Sequence, residues 1–342
     1  MTERSKRANI RDVAAAAGVS VTTVSHVLNG KGRIDPSTAE RVQSIARQLD
    51  YRASTMARGL RGGRVGRIAV LHSQDSLGNS SLTDLAFFVR MLSAITEYSA
   101  TQGFSTLLAV PPKTHTGRFD VDGVIFVDPM PGNQLLENLR QSGVPIVTTG
   151  RDLSLLPTQG NWVDNNLPQA TGEMLDLFAS RGAQRIALFA SSPLVSYNHD
   201  SIESYRAWVR RHNRPEIIHR VGDALRESEG FFLARTVLAF GDRPDAIHCS
   251  TDRHAAGVLL AAHASEIRVP EDLMVSAGTD SIAAASTTPG LTALDLNPEL
   301  MGQRACEMLI SIMDTHSQKP GELIPHALIE RGSVPALATA KV

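Results

Sequence analysis

The stretch IRDVAAAAGVSVTTVSHVLN, Ile10 to Asn29, decides how this chain is read. Asn9 can cap a first helix over 10–17, in which Val13, Ala14 and Ala17 share one face. Gly18 falls where a helix end needs a left-handed residue, and Val19 is the turn hydrophobe. Ser20 is a good N-cap for a second helix over 21–28, with Val24 and either Val27 or Leu28 turned inward, and Asn29-Gly30 stops it. Two short helices joined by a glycine-containing turn make a helix-turn-helix, and the small Ala14 permits a close crossing. The second helix is nearly uncharged and rich in hydroxyls, which compete with the helical backbone and so cost stability. Such a cost is expected where the exposed face has something to touch. The outward residues are Val21, Thr22, Ser25 and His26, flanked by Thr23 and Asn29. In a helix-turn-helix this helix enters the DNA major groove. Hydroxyls then bond bases or phosphates, Val21 meets a thymine methyl, and His26 donates to guanine or phosphate. The N-terminus of the helix, at Ser20, itself favours phosphate.

A third helix begins at the cap Asp35 with Pro36 in its first turn, where the missing N–H costs nothing. Val42, Ile45, Ala46 and Leu49 form the stripe that closes this small core. The region around it is basic: residues 1–67 hold 13 Lys and Arg against 5 Asp and Glu, while the rest of the chain holds 21 against 30. A basic head on an acidic body suits a polyanionic partner.

With 342 residues the chain exceeds one ordinary core. No uncharged apolar run reaches the roughly 18–20 residues of a membrane span, and MTERSKRANI lacks the apolar core of a secretory signal. Cys249 and Cys306 support neither a disulfide framework nor a four-ligand zinc site, and read as small core residues of a reduced cytoplasmic protein.

From residue 64 onward short β-rich runs alternate with amphipathic helices. Strands are expected at 68–72, 105–110, 124–127, 145–148, 186–190, 217–221, 246–250 and 274–277. Helices are expected at 82–100, 169–181, 202–212, 228–240 and 253–264, the first with Leu82, Leu85, Phe88, Val89, Leu92 and Ile95 on one face. Alternation of this kind predicts parallel sheets covered by helices on both faces, with any ligand at the carboxyl ends of the strands. The closing run SVPALATAKV reads as a frayed tail without the apolar heptads of a coiled coil.

The run IRDVAAAAGVSVTTVSHVLNGKGRIDPSTAERVQSIARQLDYRAS resembles the headpiece of the lactose-repressor (LacI/GalR) family of bacterial transcription factors. His26 stands where that family usually has Arg. The resemblance implies a headpiece over 1–53, then a hinge helix over 54–62 that orders on the operator and pairs with its dimer mate in the minor groove. There Ser54 is the cap, Ala57 the close-packing residue, Arg58 a phosphate or groove contact, and Leu60 the wedge between base steps. Gly59 and Ala53, the latter where the family usually has Pro, weaken this helix.

The segments VDGVIFVDP, GVPIVTTGRD, VDNNLPQATGEMLDLFASRGAQRIALFA, PDAIHCSTDRHAAGVL, VSAGTDS and PGLTALDLNPELMGQRACEML are similar, more loosely, to successive parts of the family's body. They imply a periplasmic-binding-protein-like core over 63–342. Its two lobes, about 65–160 with 295–320 and about 161–294 with 321–334, would be joined by three crossing strands around an effector cleft. Asp280 matches the family aspartate that accepts sugar hydroxyls, and Thr251 stands where a polar residue sits. His72 and Ser73 end the first strand, Asp128 ends VIFV, Arg151 follows VTT, and Ser191 and Tyr197 lie after IALFA. His72 reads equally as a packed interior histidine, and Asp252 as a helix cap. Ser201 departs from the family's usual Arg, which binds a sugar oxygen or a carboxylate. PPKTHTGRFD replaces a longer segment that usually contains a helix.

The fold class expected is an all-α helix-turn-helix headpiece followed by a two-lobed α/β core. The function implied is an effector-controlled regulator, most readily a repressor. It would bind a palindromic double-stranded operator as a homodimer in the bacterial cytoplasm, on the nucleoid. Its effector would be a sugar or another small polar metabolite. Neither a cofactor nor a membrane is expected. A transport solute-binding protein fits the body but not the head. An enzyme finds no support in GxxxxGK[ST], GxGxxG, HExxH or GxSxG, none of which occurs in a fitting context.

Overall fold

The computed structural model describes residues 10–28, 34–49, 64–72, 86–109, 119–222 and 226–336. Asn9, Asn29, Ser54, Ala57, Arg58, Leu60 and Ser73 lie outside them. The chain divides into two units, Met1–Gly66 and Arg67–Val342, because Arg67 opens the first strand of the body.

Among its described residues the first unit holds three helices, α1 (Ile10–Ala17), α2 (Val21–Leu28) and α3 (Pro36–Gln48). Val13, Ala14, Ala17, Val24, Val27, Val42 and Ala46 form its core, with Ile45 packed at the margin. Gly18 adopts φ +66° in the turn. The Ser20 hydroxyl accepts from the Thr23 N–H at 3.0 Å, capping α2, and the Asp35 carboxylate accepts from Thr38 N at 3.1 Å, capping α3. Arg41 Nε donates to the Ala17 carbonyl, tying α3 to the end of α1. Leu49 departs from the expected stripe: it follows the last turn of α3 and is exposed.

The second unit contains two six-stranded sheets. Its elements are β1 (Arg67–His72), α4 (Ala86–Thr101), β2 (Ser105–Ala109), β3 (Gly123–Val127), α5 (Gln134–Gln141), β4 (Ile146–Thr149), β5 (Trp162–Asn165), α6 (Leu167–Ser180), β6 (Ile186–Ala190), α7 (Ser196–Arg211), β7 (Ile218–Arg220), α8 (Glu227–Leu238), β8 (Ala246–Cys249), α9 (Asp252–Ala264), β9 (Met274–Ala277), α10 (Ile282–Ala285), β10 (Thr292–Asp295), α11 (Pro298–Thr315), β11 (Glu322–Ile324) and β12 (Ala327–Ile329). The first sheet has the order β11-β5-β4-β3-β1-β2 and is parallel throughout. The second has the order β12-β10-β9-β8-β6-β7, parallel except where β12 runs against β10.

The chain passes between the sheets three times: after β5, after β10, and between β11 and β12. Lobe boundaries expected at 160/161 and 320/321 therefore move. Trp162 pairs with Thr148 and Glu322 with Val163, so β5 and β11 both belong to the first lobe. Two of the crossings are stitched to each other and the third to a helix. Asn165 Nδ2, at the first, donates to the Leu296 carbonyl at the second (3.0 Å), and His326 Nε2, at the third, lies 2.8 Å from Glu173 Oε2 on α6.

The first-lobe core packs α4 and α11 against β1, β3, β4 and β5 through Met91, Ile95, Ile125, Leu309 and their neighbours. On α4 the buried stripe is Phe88, Met91, Ile95 and Ser99, and Val89 is exposed, one residue off the 3.6-residue repeat. Both cysteines are free and buried, and burial pushes the Cys306 thiol up to about 11. The supposed frayed tail is anchored at its start: Ser333 Oγ donates to the Val275 carbonyl at 2.6 Å and accepts from Thr292 N, and Val334 is buried. Residues 119–122 carry no helix between β2 and β3; 110–118 lie outside the described residues.

Candidate nucleic-acid interface and ligand cleft

On α2 of the head, Ser20, Thr22 and His26 are exposed, while Val21, Thr23 and Ser25 are half-buried. Val21 packs against the margin of the head core, and Thr23 Oγ1 lies 2.9 Å from Ser20 Oγ within the cap. The freely presented groups are therefore the imidazole of His26 and the hydroxyl of Thr22, beside a helix N-terminus already capped by Ser20.

In the core the carboxyl ends of β3, β4, β5, β6 and β8 meet the start of α4 around a cleft between the sheets. Its walls include Phe87, Phe88, Asp128, Thr149, Asp164 and Asn165 from one side, and Ser191, Tyr197, Thr251, Asp252 and Asp280 from the other. Phe87 and Phe88 meet edge to face at 5.3 Å, and Phe87 touches the cores of both lobes.

Of the residues expected in the cleft, Asp128, Ser191, Tyr197, Thr251 and Asp280 line it. Three others do not. His72, opposite Val127 on β3, is buried in the sheet. Ser201 is buried on α7, and its hydroxyl donates back to the Tyr197 carbonyl at 2.8 Å. Arg151 stands behind the wall. Its Nε donates to Asp164 Oδ2 at 3.0 Å, its terminal nitrogen pairs with Asp200, and its guanidinium lies over the Trp162 ring. Its charge is committed to the protein before any ligand arrives.

The four lining carboxylates are held differently. Asp280 accepts both terminal nitrogens of Arg331, at 2.7 and 2.9 Å. Asp164 accepts Arg151 and the Asn165 N–H. Asp252 is held by hydroxyls, chiefly Ser281 Oγ at 2.5 Å, while Thr251 caps α9 by accepting from His254 N. Asp128 receives no side-chain donor among the described residues. It sits at φ 45° after β3, a conformation short polar residues tolerate, and its backbone N–H donates to the Thr149 carbonyl. Burial, then the neighbouring Asp164 carboxylate, pushes its carboxyl up to about 7. Gly150 is required beside it. It adopts φ 90°, and a Cβ there would lie 2.9 Å from Asp128 Oδ1 and 3.1 Å from Ser196 Oγ.

Tyr197 crosses the cleft floor. Its hydroxyl donates to the Ser250 carbonyl at 2.6 Å, in a notch that a side chain at Gly278 would fill. Burial, with Asp252 and Asp128 nearby, raises its phenol. Thr149 and Ser191 are each 2% exposed, and among the described residues neither hydroxyl has a hydrogen-bond partner. Buried hydroxyls in native structures are normally paired, so these two are available to a polar ligand in the cleft. Thr149, Asp164, Asn165 and Thr279 escape a reading of the sequence alone. The signal for Asp164 and Asn165 is their place at the carboxyl end of β5, a strand whose WVDN sequence does not advertise itself.

A helix-turn-helix head on a core of two crossed α/β lobes defines a regulator with a periplasmic-binding-protein-like body. Residues 9–54 match the model for bacterial regulatory proteins of the lacI family, and residues 175–334 that for a periplasmic binding protein-like domain. The HTH-type transcriptional regulator CelR of Thermobifida fusca is 28% identical over 342 residues, covering 94% of this chain and 96% of that protein. Catabolite control protein A of Staphylococcus epidermidis is 26% identical over 340 residues, covering 95% and 98%. Among solved structures, the lac repressor dimer bound to operator and the anti-inducer ONPF superposes with a TM-score of 0.83 at 22% identity, over 96% of this chain and 100% of that one. The CelR–cellobiose complex gives 0.72 at 24%, over 96% and 100%. Over nearly its whole length the chain is thus similar to transcriptional regulators with a lacI-type head, and these relatives are DNA-binding regulators, not enzymes. The lacI-type match over residues 9–54 speaks against the transport reading. No helix among the described residues is long and apolar enough to cross a membrane.

Proposed function

We propose that this protein is a dimeric repressor that binds a palindromic operator, its DNA affinity set by a small polar effector in the cleft. The observation that carries this is the joining, in one chain, of a lacI-type head to a cleft holding two buried hydroxyls without partners. Residues 1–53 form the DNA-reading headpiece, 54–62 the hinge and 63–342 the effector core. Thr22, Ser25 and His26 read base edges in the major groove, and Leu60 wedges the minor groove. Two-fold pairing gives two half-sites about one helical turn apart. It is supported by the adjoining helices α8, α9 and α10, which expose Phe232 (68%), Leu260 and Ile282 (88%), side chains that a second copy would cover. In its solved structure the lac repressor is a dimer on its operator, and CelR is complexed with cellobiose; both support a sugar-like effector and a DNA partner here. Coupling runs through the angle between the lobes. The protein works in the cytoplasm, on the nucleoid.

Selection of bound sequences from a random duplex library, at near-physiological salt, tests the reading. A palindrome with a flexible central step is expected. Leu60→Ala should lower specific affinity and DNA bending while sparing salt-driven, non-specific binding. Absence of any enriched sequence would overturn the proposal.

A further inference from the structure

The cleft holds four carboxylates, and among the described residues that line it there is no lysine, arginine or histidine. Asp280 is paired with Arg331, and Asp164 shares the single charge of Arg151 with Asp200. Asp252 is held by neutral hydroxyls. Asp128 is left with neither cation nor donor among the described residues, and it feels the Asp164 carboxylate, two strands away, as a like charge. Thr149, whose carbonyl receives the Asp128 N–H, adds a buried and unused hydroxyl to the same wall, and Ser191 adds a second on the opposite wall.

We propose, on the reading of this cleft as the effector site, that it selects a polyhydroxylated amine such as an amino sugar, with the ammonium group against Asp128. An ammonium offers three donors and no acceptor. The Asp128 carboxylate and the Thr149 oxygen accept from it, and the ligand's hydroxyls reach Ser191, Asp252 and the free edge of Asp280. A neutral sugar that seals the cleft leaves Asp128 buried and uncompensated, which is costly. An anion meets four carboxylates and no free cation. Ser201 is buried on α7 and uncharged, and Arg151 is already engaged twice.

The test uses polyols of one size and three charges: sorbitol, N-methylglucamine and gluconate, then glucose, glucosamine and glucuronate, with cellobiose as a larger neutral sugar. Stabilisation of the full chain is followed by thermal unfolding at pH 7.5, and affinity by calorimetry. Each cation should reach half-effect at a concentration at least ten-fold below that of its neutral partner, and the anions should do nothing. Asp128→Asn should bring the cations within two-fold of the neutrals. Thr149→Val, which keeps side-chain shape, should weaken the cations about three-fold and so guards against misfolding of the first variant. Equal or tighter binding of neutral or anionic members, or no stabilisation by either cation, would overturn the charge preference. Cellobiose binding without cation preference would do so while leaving the effector cleft standing. Failure of the regulator reading shows instead as loss of sequence-selective DNA binding in the unliganded protein.

Discussion

Asp280 and Asp128 follow the carboxyl ends of strands in opposite lobes, β9 and β3, and face the same cleft. Asp280 is gripped by both terminal nitrogens of Arg331, which also donates to the Leu291 carbonyl at 2.7 Å. That wall is finished before a ligand enters. Asp128 is pressed against Gly150, and burial, then the like charge of Asp164, pushes its carboxyl up to about 7. That wall is unfinished. The same residue type thus serves structure on one side and carries a standing cost on the other, and only the second has free energy to give to a ligand.

The contrast is sharpest in stability. Arg331→Met should strand the Asp280 carboxylate and cost about 3 kcal/mol, read from the urea midpoint of the core. Adding Asp280→Asn should recover part of that loss. Asp128→Asn should act with the opposite sign. Between its ordinary value of 3.8 and about 7, the folded chain holds a proton on Asp128 that the unfolded chain has lost. This group's contribution to stability therefore falls as pH rises from about 4 to about 7 and stays low above. The charged and titratable groups around it, Asp164, the Arg151–Asp200 pair, Tyr197 and Asp252, remain in the variant. The difference between wild type and Asp128→Asn thus isolates the one carboxyl. The variant should be more stable at pH 8 by roughly 2 kcal/mol, with the gap closing near pH 4. A variant less stable at pH 8 would break the comparison.

Gly150→Ala should cost about 1–2 kcal/mol, combining a left-handed φ with the displacement of Asp128. The smallest effects belong to Thr149→Val and Ser191→Ala. Neither hydroxyl has a partner among the described residues, so unliganded stability should move by about 0.5 kcal/mol or less, or rise. Ligand affinity should fall in both.

Local signals made the head and the alternation of the core legible in the sequence. Caps at Ser20 and Asp35, a glycine at 18 and a 3.6-residue stripe act within a few residues of one another. The cleft depended on pairings that no local pattern announces. Arg151 looked like a ligand residue after its strand, but its partners lie 13 and 49 positions away, at Asp164 and Asp200. The lobe boundary slipped because Trp-Val-Asp-Asn, at 162–165, mixes one aromatic and one aliphatic residue with two polar ones. It becomes a strand only through its neighbours β4 and β11. Asp164 and Asn165 were missed with it.

The stitched crossings carry one more consequence. Of the three tethers, two are joined directly, Asn165 to Leu296, and the third is pinned by His326 to Glu173 on α6. Movements of the lobes that keep those links intact cost less than movements that break them. On the proposed effector reading, ligands of different size would then act through the same restricted movements, and discrimination among them would rest with the walls of the cleft.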